Sequence, residues 1–189
     1  DPDEYRVKLS EMVVATGKTN SSTELANRLY ETIEKHSAEI LNRDATQFLL
    51  EQVRQKHPVV VEEIVNHKVT LAEIQQTLQL LLRERLPIRQ MTLILESLGD
   101  VAELEKNPVL RTEFVRRRMA RTITDRHKGI DGELSVIQFD SDLTETIHRA
   151  LQYTPQGFSV NVSSALIDAI DEQLLPLISE SPKEQLILL

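Results

Sequence analysis

The chain has 189 residues, of which 40% are apolar and 4% aromatic, and its formal net charge is −8. This acidic balance opposes nucleic-acid binding, because a DNA or RNA partner is met by a face of concentrated positive charge. The absence of cysteine excludes disulfides, thiolate metal sites and cysteine nucleophiles. Scarce aromatics and only five glycines favour a core of Leu, Ile and Val packed between helices.

The ends of the chain suggest a piece of a longer protein. No apolar run approaches the roughly 18 residues that indicate a membrane-spanning helix, and no signal peptide opens the chain. The acidic residues 1–4 are typical of an entry into the middle of a protein, and residues 185–189 of a strand cut before its loop. We therefore expect a fragment that is not itself embedded in a membrane.

The first elements are predicted to be two short strands and a polar gap. Tyr5, Val7 and Leu9 alternate with basic residues at a period of two, and a second apolar run covers 12–14. Residues 16–22 are polar and mark either a linker or a missing segment.

Residues 22–99 carry the periodicity of a compact helical bundle. Three capping pairs predict helix starts: Ser21 with Glu24, Asp44 with Gln47, and Thr70 with Glu73. The first helix, over 22–42, has an apolar stripe formed by Leu25, Leu29, Ile33 and Ile40. Pro58 and Pro87 mark further helix boundaries. The predicted bundle core consists of Leu78, Leu81, Leu82, Ile88, Met91, Leu95 and Leu98.

Beyond residue 107 the pattern predicts an α/β unit. A helix is expected from Pro108 to His127, a strand at 134–137, and a helix over 140–152. Residues 157–162 are compatible with a strand or a loop, and a helix over 163–178 precedes a last strand. The predicted fold class is α+β and mostly helical: a helical bundle flanked by an N-terminal strand pair and a C-terminal α/β subdomain.

Catalytic patterns are weak, and the sequence predicts no catalytic residue, cofactor or metal site. Glycine-rich phosphate loops and zinc-protease histidine spacing are absent. One alternative is a hydrolase that uses His148 with Asp140 or Asp142, although no nucleophile accompanies them. Arg111, Arg118 and Arg121 are predicted to share one helix side, as either a solvated face or a patch for an acidic neighbouring subunit.

One long stretch resembles a known family. Residues 78–91 run Leu-Gln-x-Leu-Leu-x-Glu-x-x-Pro-Ile-Arg-x-Met, and Ile-Leu-Glu follows at 94–96. Residues 36–43 and the strands near 5–15 add shorter matches, and 133–189 match more loosely. This pattern is similar to the large export-gate family of flagellar and virulence type III secretion systems, the FlhA/SctV family.

The resemblance implies a cytosolic part of a multi-pass protein at the inner membrane, and no enzyme activity. Such parts form a ring, typically of nine, that receives chaperone–substrate complexes beside other export-apparatus proteins. The implied division is 1–42, a remnant of a first α/β subdomain that lacks an inserted small subdomain near 17–20; 43–106, a helical bundle; and 107–189, a truncated α/β subdomain. Flagellar members carry Thr-His-Leu where this chain has Asn27-Arg28-Leu29, which favours a virulence-type system.

Two sets of residues are predicted to serve this function. The partner-docking set is Leu25, Asn27, Arg28 and Leu29, and the ring-interface set is Arg83, Glu84, Arg85, Arg89, Arg117 and Arg118. The second alternative is a non-secretory helical regulatory module that acts through a partner helix. It predicts a chain that stays monomeric and ignores secretion chaperones.

Overall fold

The structure is a computed structural model that describes residues 4–9, 11–65, 67–129, 131–154, 157–180 and 186–188. In chain order its elements are β1 (Glu4–Leu9), β2 (Met12–Lys18), α1 (Ser22–Ile40), α2 (Arg43–Lys56), α3 (Pro58–Ile64), α4 (Leu71–Arg83), α5 (Met91–Val101), α6 (Pro108–Arg118), α7 (Ala120–His127), β3 (Ser135–Ile137), α8 (Ser141–Ala150), β4 (Leu151–Thr154), β5 (Gly157–Val160), α9 (Ser164–Glu180) and β6 (Leu186–Leu188). The predicted α+β, mostly helical fold class is confirmed.

The N-terminal strand pair is an antiparallel hairpin. It runs from the pair Glu4–Lys18 to the pair Leu9–Met12, with an irregularity in the register at Val7. Both predicted strands are present, but β2 continues to Lys18, so the polar stretch predicted as a linker begins inside a strand. Backbone pairing with β1 accounts for this, because ladder hydrogen bonds do not depend on side-chain polarity.

The helix starts test the three capping predictions. Thr70 and Glu73 form a complete capping box at α4, as predicted. At α1, the Ser21 hydroxyl accepts from the Glu24 backbone N–H, but the Glu24 carboxylate accepts from the Thr19 hydroxyl instead. The prediction for α2 is wrong: the cap is Asn42, whose Oδ1 accepts from the backbone N–H of residue 45 at 2.8 Å. The α1–α2 link therefore ends two residues earlier than the Asp44 pattern suggested.

The bundle core lies between α2, α3, α4, α5 and α6. Its fully buried side chains include Leu50, Ile74, Leu78, Leu81, Ile94, Leu95 and Leu98. Of the predicted core, Leu78, Leu81, Met91, Leu95 and Leu98 are buried, whereas Leu82 and Ile88 are half-buried. Helical spacing therefore found the buried face, and the two misplaced residues lie at its edge beside the Pro87 break.

Helices α3 and α5 lie close together at Gly99. A Cβ atom added there would lie 3.1 Å from Cγ1 of Ile64 and 3.2 Å from its Cδ1. Both residues are buried. Glycine inside a helix costs about 1 kcal/mol relative to alanine, so its presence here is explained by the short distance between the helices.

The chain divides into two compact units, residues 1–118 and 119–189. The predicted helix from Pro108 to His127 is wrong in its extent, because α6 ends at Arg118 and α7 begins at Ala120. Helix α6 packs against α4 and α5 in the first unit. The division at 1–42, 43–106 and 107–189 stays a prediction about subdomains.

The second unit combines α7, α8 and α9 with two strand pairs. Strand β3 pairs with β6 in parallel, and β4 pairs with β5 antiparallel. The predicted helix over 140–152 ends at Ala150, since residues 151–154 pair with β5 instead. The ambiguous residues 157–162 begin with a strand, and Pro176 lies inside α9.

Candidate docking and assembly surfaces

The predicted docking residues lie on the first half of α1. Leu25 is half-buried and Leu29 is 37% exposed; they are four residues apart and share a face of the helix. Asn27 and Arg28 are exposed and project from other sides. Arg28 lies 3.4 Å from Glu31 and 4.0 Å from Glu24. The structure therefore brings Leu25 and Leu29 together, and leaves Arg28 among acidic residues of its own helix.

An exposed apolar strip extends this surface beyond the predicted set. Leu29, Tyr30 and Ile33 are 37%, 69% and 55% exposed. We call these three residues the α1 strip. None of the side chains of α1 is buried, although the helix is 19 residues long. The sequence analysis assigned Ile33 to packing and did not consider Tyr30; a bulky tyrosine outside the apolar stripe was the available signal.

The predicted ring-interface residues at the Pro87 break end helix α4. Arg83 is its last residue, Glu84 is its C-cap, and Arg85 follows with a φ of 57°. The backbone N–H of Arg85 donates to the carbonyl of Leu82, and that of Leu86 donates to the carbonyl of Leu81. This pair of bonds is a Schellman motif, in which glycine usually occupies the left-handed position.

Three residues of the predicted ring-interface set, Glu84, Arg117 and Arg118, form ion pairs within the chain. Glu84 binds Arg116 of α6, which also binds Glu113. The Arg117 guanidinium lies 3.5 Å from Glu113, and that of Arg118 lies 3.6 Å from Asp100.

Arg111 was predicted to share a surface with Arg118 and Arg121, but its side chain lies in the core. Arg111 is only 2% exposed. It donates to Glu73 Oε1 at 2.5 Å, to the Glu105 carbonyl at 2.6 Å and to the Ala102 carbonyl at 2.9 Å. The prediction that Arg111 belongs to a surface patch is therefore wrong, because its charge joins the start of α4 to the end of α5. Helical spacing does not reveal which arginine is buried against a half-exposed carboxylate.

The pKa of the Glu73 carboxyl depends on its burial and on its hydrogen bonds to Thr70 and Arg111. Burial by itself raises the pKa of Glu73, but hydrogen bonds from Thr70 and Arg111 outweigh it and hold the pKa below its usual value. Its charged form therefore fastens both the helix start and the buried guanidinium.

A groove of about 290 Å³ lies between α3, α5 and the end of α6. Two ion pairs border it: Lys68 with Glu63 at 2.7 Å, and Arg118 with Asp100 at 3.6 Å. The hydrogen bond from Lys68 lowers the pKa of Glu63, and the same bond raises the pKa of Lys68. Both basic residues of its lining are thus paired with acids of the same chain, and Glu96 adds a third acid to the lining.

The residues of the hydrolase alternative are not brought together. Asp140 caps the start of α8 by accepting from the Leu143 backbone N–H at 2.8 Å. His148 is in the last turn of the same helix, eight residues and about 12 Å along the axis. Asp142, six residues before His148, projects from another side. This alternative is wrong, since acid–base chemistry needs its groups within hydrogen-bond reach.

Metal-binding clusters and membrane-spanning helices are both absent from the part of the chain that the structure describes. In the described part of the chain, no group of three or more His, Asp or Glu residues is placed to hold a metal ion. Among those same residues, no helix combines the length and the apolar character that crossing a bilayer needs.

The fold of this chain is similar to those of several solved structures. The structure superimposes on Chlamydia pneumoniae CdsV in its complex with CdsO, with a TM-score of 0.80 and 20% identity over 95% of this chain and 66% of that one. It also superimposes on nonameric SctV-C from EPEC, with a TM-score of 0.75 and 22% identity over 98% of this chain and 61% of that one. At these identities the likeness defines a fold class, that of the SctV-type domains.

The family follows from the sequence. The FHIPEP family model matches residues 3–189. The flagellar biosynthesis protein FlhA of Helicobacter pylori is 31% identical over 180 residues, which is 92% of this chain and 24% of that protein. The chain belongs to the FHIPEP family, and the predicted membership of the FlhA/SctV group is confirmed. It spans about a quarter of the length of this curated relative. The virulence-type assignment stays a prediction.

Proposed function

We propose that this chain is a cytosolic part of a type III secretion export gate. In this proposal it forms a ring of nine at the cytoplasmic face of the bacterial inner membrane and docks chaperone–substrate complexes. Its role is protein transport without catalysis, cofactors or nucleic acid. The observation that carries the proposal is the family match over residues 3–189. The nonameric state of EPEC SctV-C supports the ring.

Assembly is proposed to use the corner at Pro87. Arg83, Glu84, Arg85 and Arg89 are exposed there, and Arg117 and Arg118 lie at the end of α6. An exposed cluster of charges gives orientation and specificity to a subunit contact, although each exposed pair adds little energy. CdsV in complex with CdsO supports a further contact with another export-apparatus protein.

Assembly is tested by light scattering on a sizing column across a concentration series. We expect the mass of the parent chain to rise toward a closed species, and Arg89→Glu to weaken this rise while the monomer stays folded. The matched control is Arg149→Glu on α8, at a side chain that is 77% exposed and lies outside every predicted interface set. A ring that forms equally well with Arg89→Glu excludes Arg89 from the interface. A strict monomer at every concentration rejects assembly by this part of the chain alone and leaves docking as the function to test.

Docking is proposed to use the α1 strip together with the predicted residues. Large apolar side chains that remain exposed on a helix are the usual anchors of a protein contact. Leu25 supports Leu29 from one turn below, and Asn27 and Arg28 add polar contacts at the edge. The partner is a secretion chaperone with its substrate.

Calorimetric titration with a purified chaperone–substrate complex tests docking. We expect the double variant Leu29→Ser/Ile33→Ser to weaken binding by about tenfold or more, since two apolar anchors are lost. The double variant Asn27→Ala/Arg28→Ala is expected to weaken it less. Val59→Ser on α3, at a side chain that is 70% exposed, is the matched control. Unchanged binding by both double variants would reject α1 as the docking surface.

A further inference from the structure

The C-terminal end of α1 is held by side chains from another helix. The last carbonyls of a helix have no partner within it, and a terminal glycine or a basic residue commonly satisfies them. Helix α1 has no basic residue in its last turn and ends at Leu41 with a φ of −74°. The Ala38 carbonyl and the Leu41 carbonyl are bound instead by two glutamines of α4.

The contacts of these glutamines converge on one link. Gln79 Nε2 donates to the Ala38 carbonyl at 3.0 Å and to the Leu41 carbonyl at 2.9 Å. Gln75 Nε2 donates to the same Leu41 carbonyl at 2.9 Å. The two glutamines are one turn apart on α4 and both are half-buried. We call this arrangement the glutamine clip.

The glutamine clip lies at the link between α1 and α2, which determines the angle between the two helices. Only residues 41 and 42 separate α1 from α2. The Leu41 side chain is buried, and Asn42 caps the start of α2. The link is therefore held to the bundle through both of its residues. No side chain of α1 is buried, so apolar packing contributes little to its orientation. Helix α1 also packs against α4 and β1.

We propose that Gln75 and Gln79 are positioning residues that set the angle at which α1 leaves the bundle. Through that angle they fix where the α1 strip faces. Loss of the clip lets α1 pivot at Leu41 while the bundle keeps its fold. Only the consequence for docking rests on the proposed function; the pivot itself does not.

Spin-label distances measure the pivot directly. The chain has no cysteine, so Ala26→Cys on α1 and Glu62→Cys on α3 place labels without other changes. Residue 26 lies about 22 Å from Leu41 along the helix, so a swing of about 20° moves it by roughly 8 Å. We expect one narrow distance distribution in the parent chain. Gln75→Leu/Gln79→Leu is expected to widen it at least about twofold, because three hydrogen bonds are lost.

Two further variants make the result decisive. Gln76→Leu changes an exposed glutamine of the same helix and is expected to leave the distribution narrow. Gln79→Glu keeps the shape but replaces the donor with a carboxylate that repels both carbonyls; it is expected to widen the distribution and settles the question if the double variant fails to fold. A narrow distribution in Gln79→Glu, with circular dichroism unchanged, overturns the proposal, because β1 and α4 packing then suffice.

The docking titration separates the two proposals. The label measurement contains no partner, so its outcome is independent of whether a chaperone binds α1. If the clip variants widen the distribution and also weaken binding by about fivefold or more, without changing any residue of the α1 strip, positioning is supported. If they widen the distribution and binding is unchanged, the consequence for docking is rejected and the pivot remains.

Discussion

The helical bundle and the C-terminal unit differ in where their apolar side chains lie. In the bundle, α4 and α5 bury Ile74, Leu78, Leu81, Ile94, Leu95 and Leu98 completely. In the second unit, α8 is amphipathic but has no buried residue, and α9 leaves Ile167, Leu175, Leu177 and Ile178 between 39% and 60% exposed. An apolar stripe thus identifies the face that is available for packing, and only the neighbouring elements decide whether it is covered.

The largest expected effect is the loss of stability when a buried leucine of the bundle is shortened. An exposed leucine of the second unit provides the comparison. Leu78→Ala should lower the free energy of unfolding by about 2–5 kcal/mol, since it leaves a cavity in a closed core. Leu175→Ala, at a side chain that is 60% exposed, should lower it by less than about 0.5 kcal/mol. Urea denaturation followed by circular dichroism compares the two variants. Equal losses would mean that α9 is as well packed as α4.

A buried charge sharpens the contrast between core and surface. Arg111→Met should lower the free energy of unfolding by about 3 kcal/mol, because three hydrogen bonds are lost and Glu73 loses its partner. Arg121→Met, at a side chain that is 95% exposed, should change it by less than about 0.5 kcal/mol. The same denaturation measurement applies. A small effect at Arg111 would show that apolar packing replaces the ion pair at no cost.

Acidification should act on the bundle through Glu73. The pKa of this carboxyl is lower in the folded chain than in the unfolded chain. Its contribution to stability is therefore fully present above the unfolded pKa, near 4.5, and is lost as the pH falls through the folded pKa. Denaturation at several pH values should show Glu73→Gln less stable than the parent at neutral pH, with the difference fading below that range. A constant difference would contradict the assignment.

The smallest effect concerns the backbone at the Pro87 corner. Arg85→Gly should raise the free energy of unfolding by up to about 1 kcal/mol, because glycine adopts a positive φ without steric cost. Arg83→Gly, two residues earlier at the last position of α4, should lower it by up to about 1 kcal/mol. Thermal melts of the monomer compare the signs. Destabilisation by both variants would indicate that the Arg85 side chain contributes more than its backbone costs.

Local signals in the sequence predicted much of the fold. The Thr70–Glu73 capping box, the proline at the start of α3 and the period of two in β1 each depend on a few neighbouring residues, and each is confirmed. The break at Met119 and the pairing of residues 151–154 with β5 were missed, because tertiary contacts and strand pairing decided them.

The candidate site was less predictable than the fold. The stripe containing Leu29 and Ile33 was visible, but its exposure depends on which elements pack beside α1. Likewise, Arg111 is buried through Glu73 of α4, which is 38 residues away, together with the Ala102 and Glu105 carbonyls just after α5. The glutamine clip joins residues 34 to 41 positions apart, and no local pattern marks such a pair.

The close contact of α3 and α5 at Gly99 couples the residue types that positions 64 and 99 can accept. Any side chain at residue 99 must share space with Ile64, whose Cγ1 would lie 3.1 Å from a new Cβ. A change at either position therefore alters which residues the other one can accept. A Cβ at residue 99 is accommodated if Ile64 shifts by a few tenths of an ångström or is replaced by a smaller residue, so substitutions at the two positions are expected to be coupled.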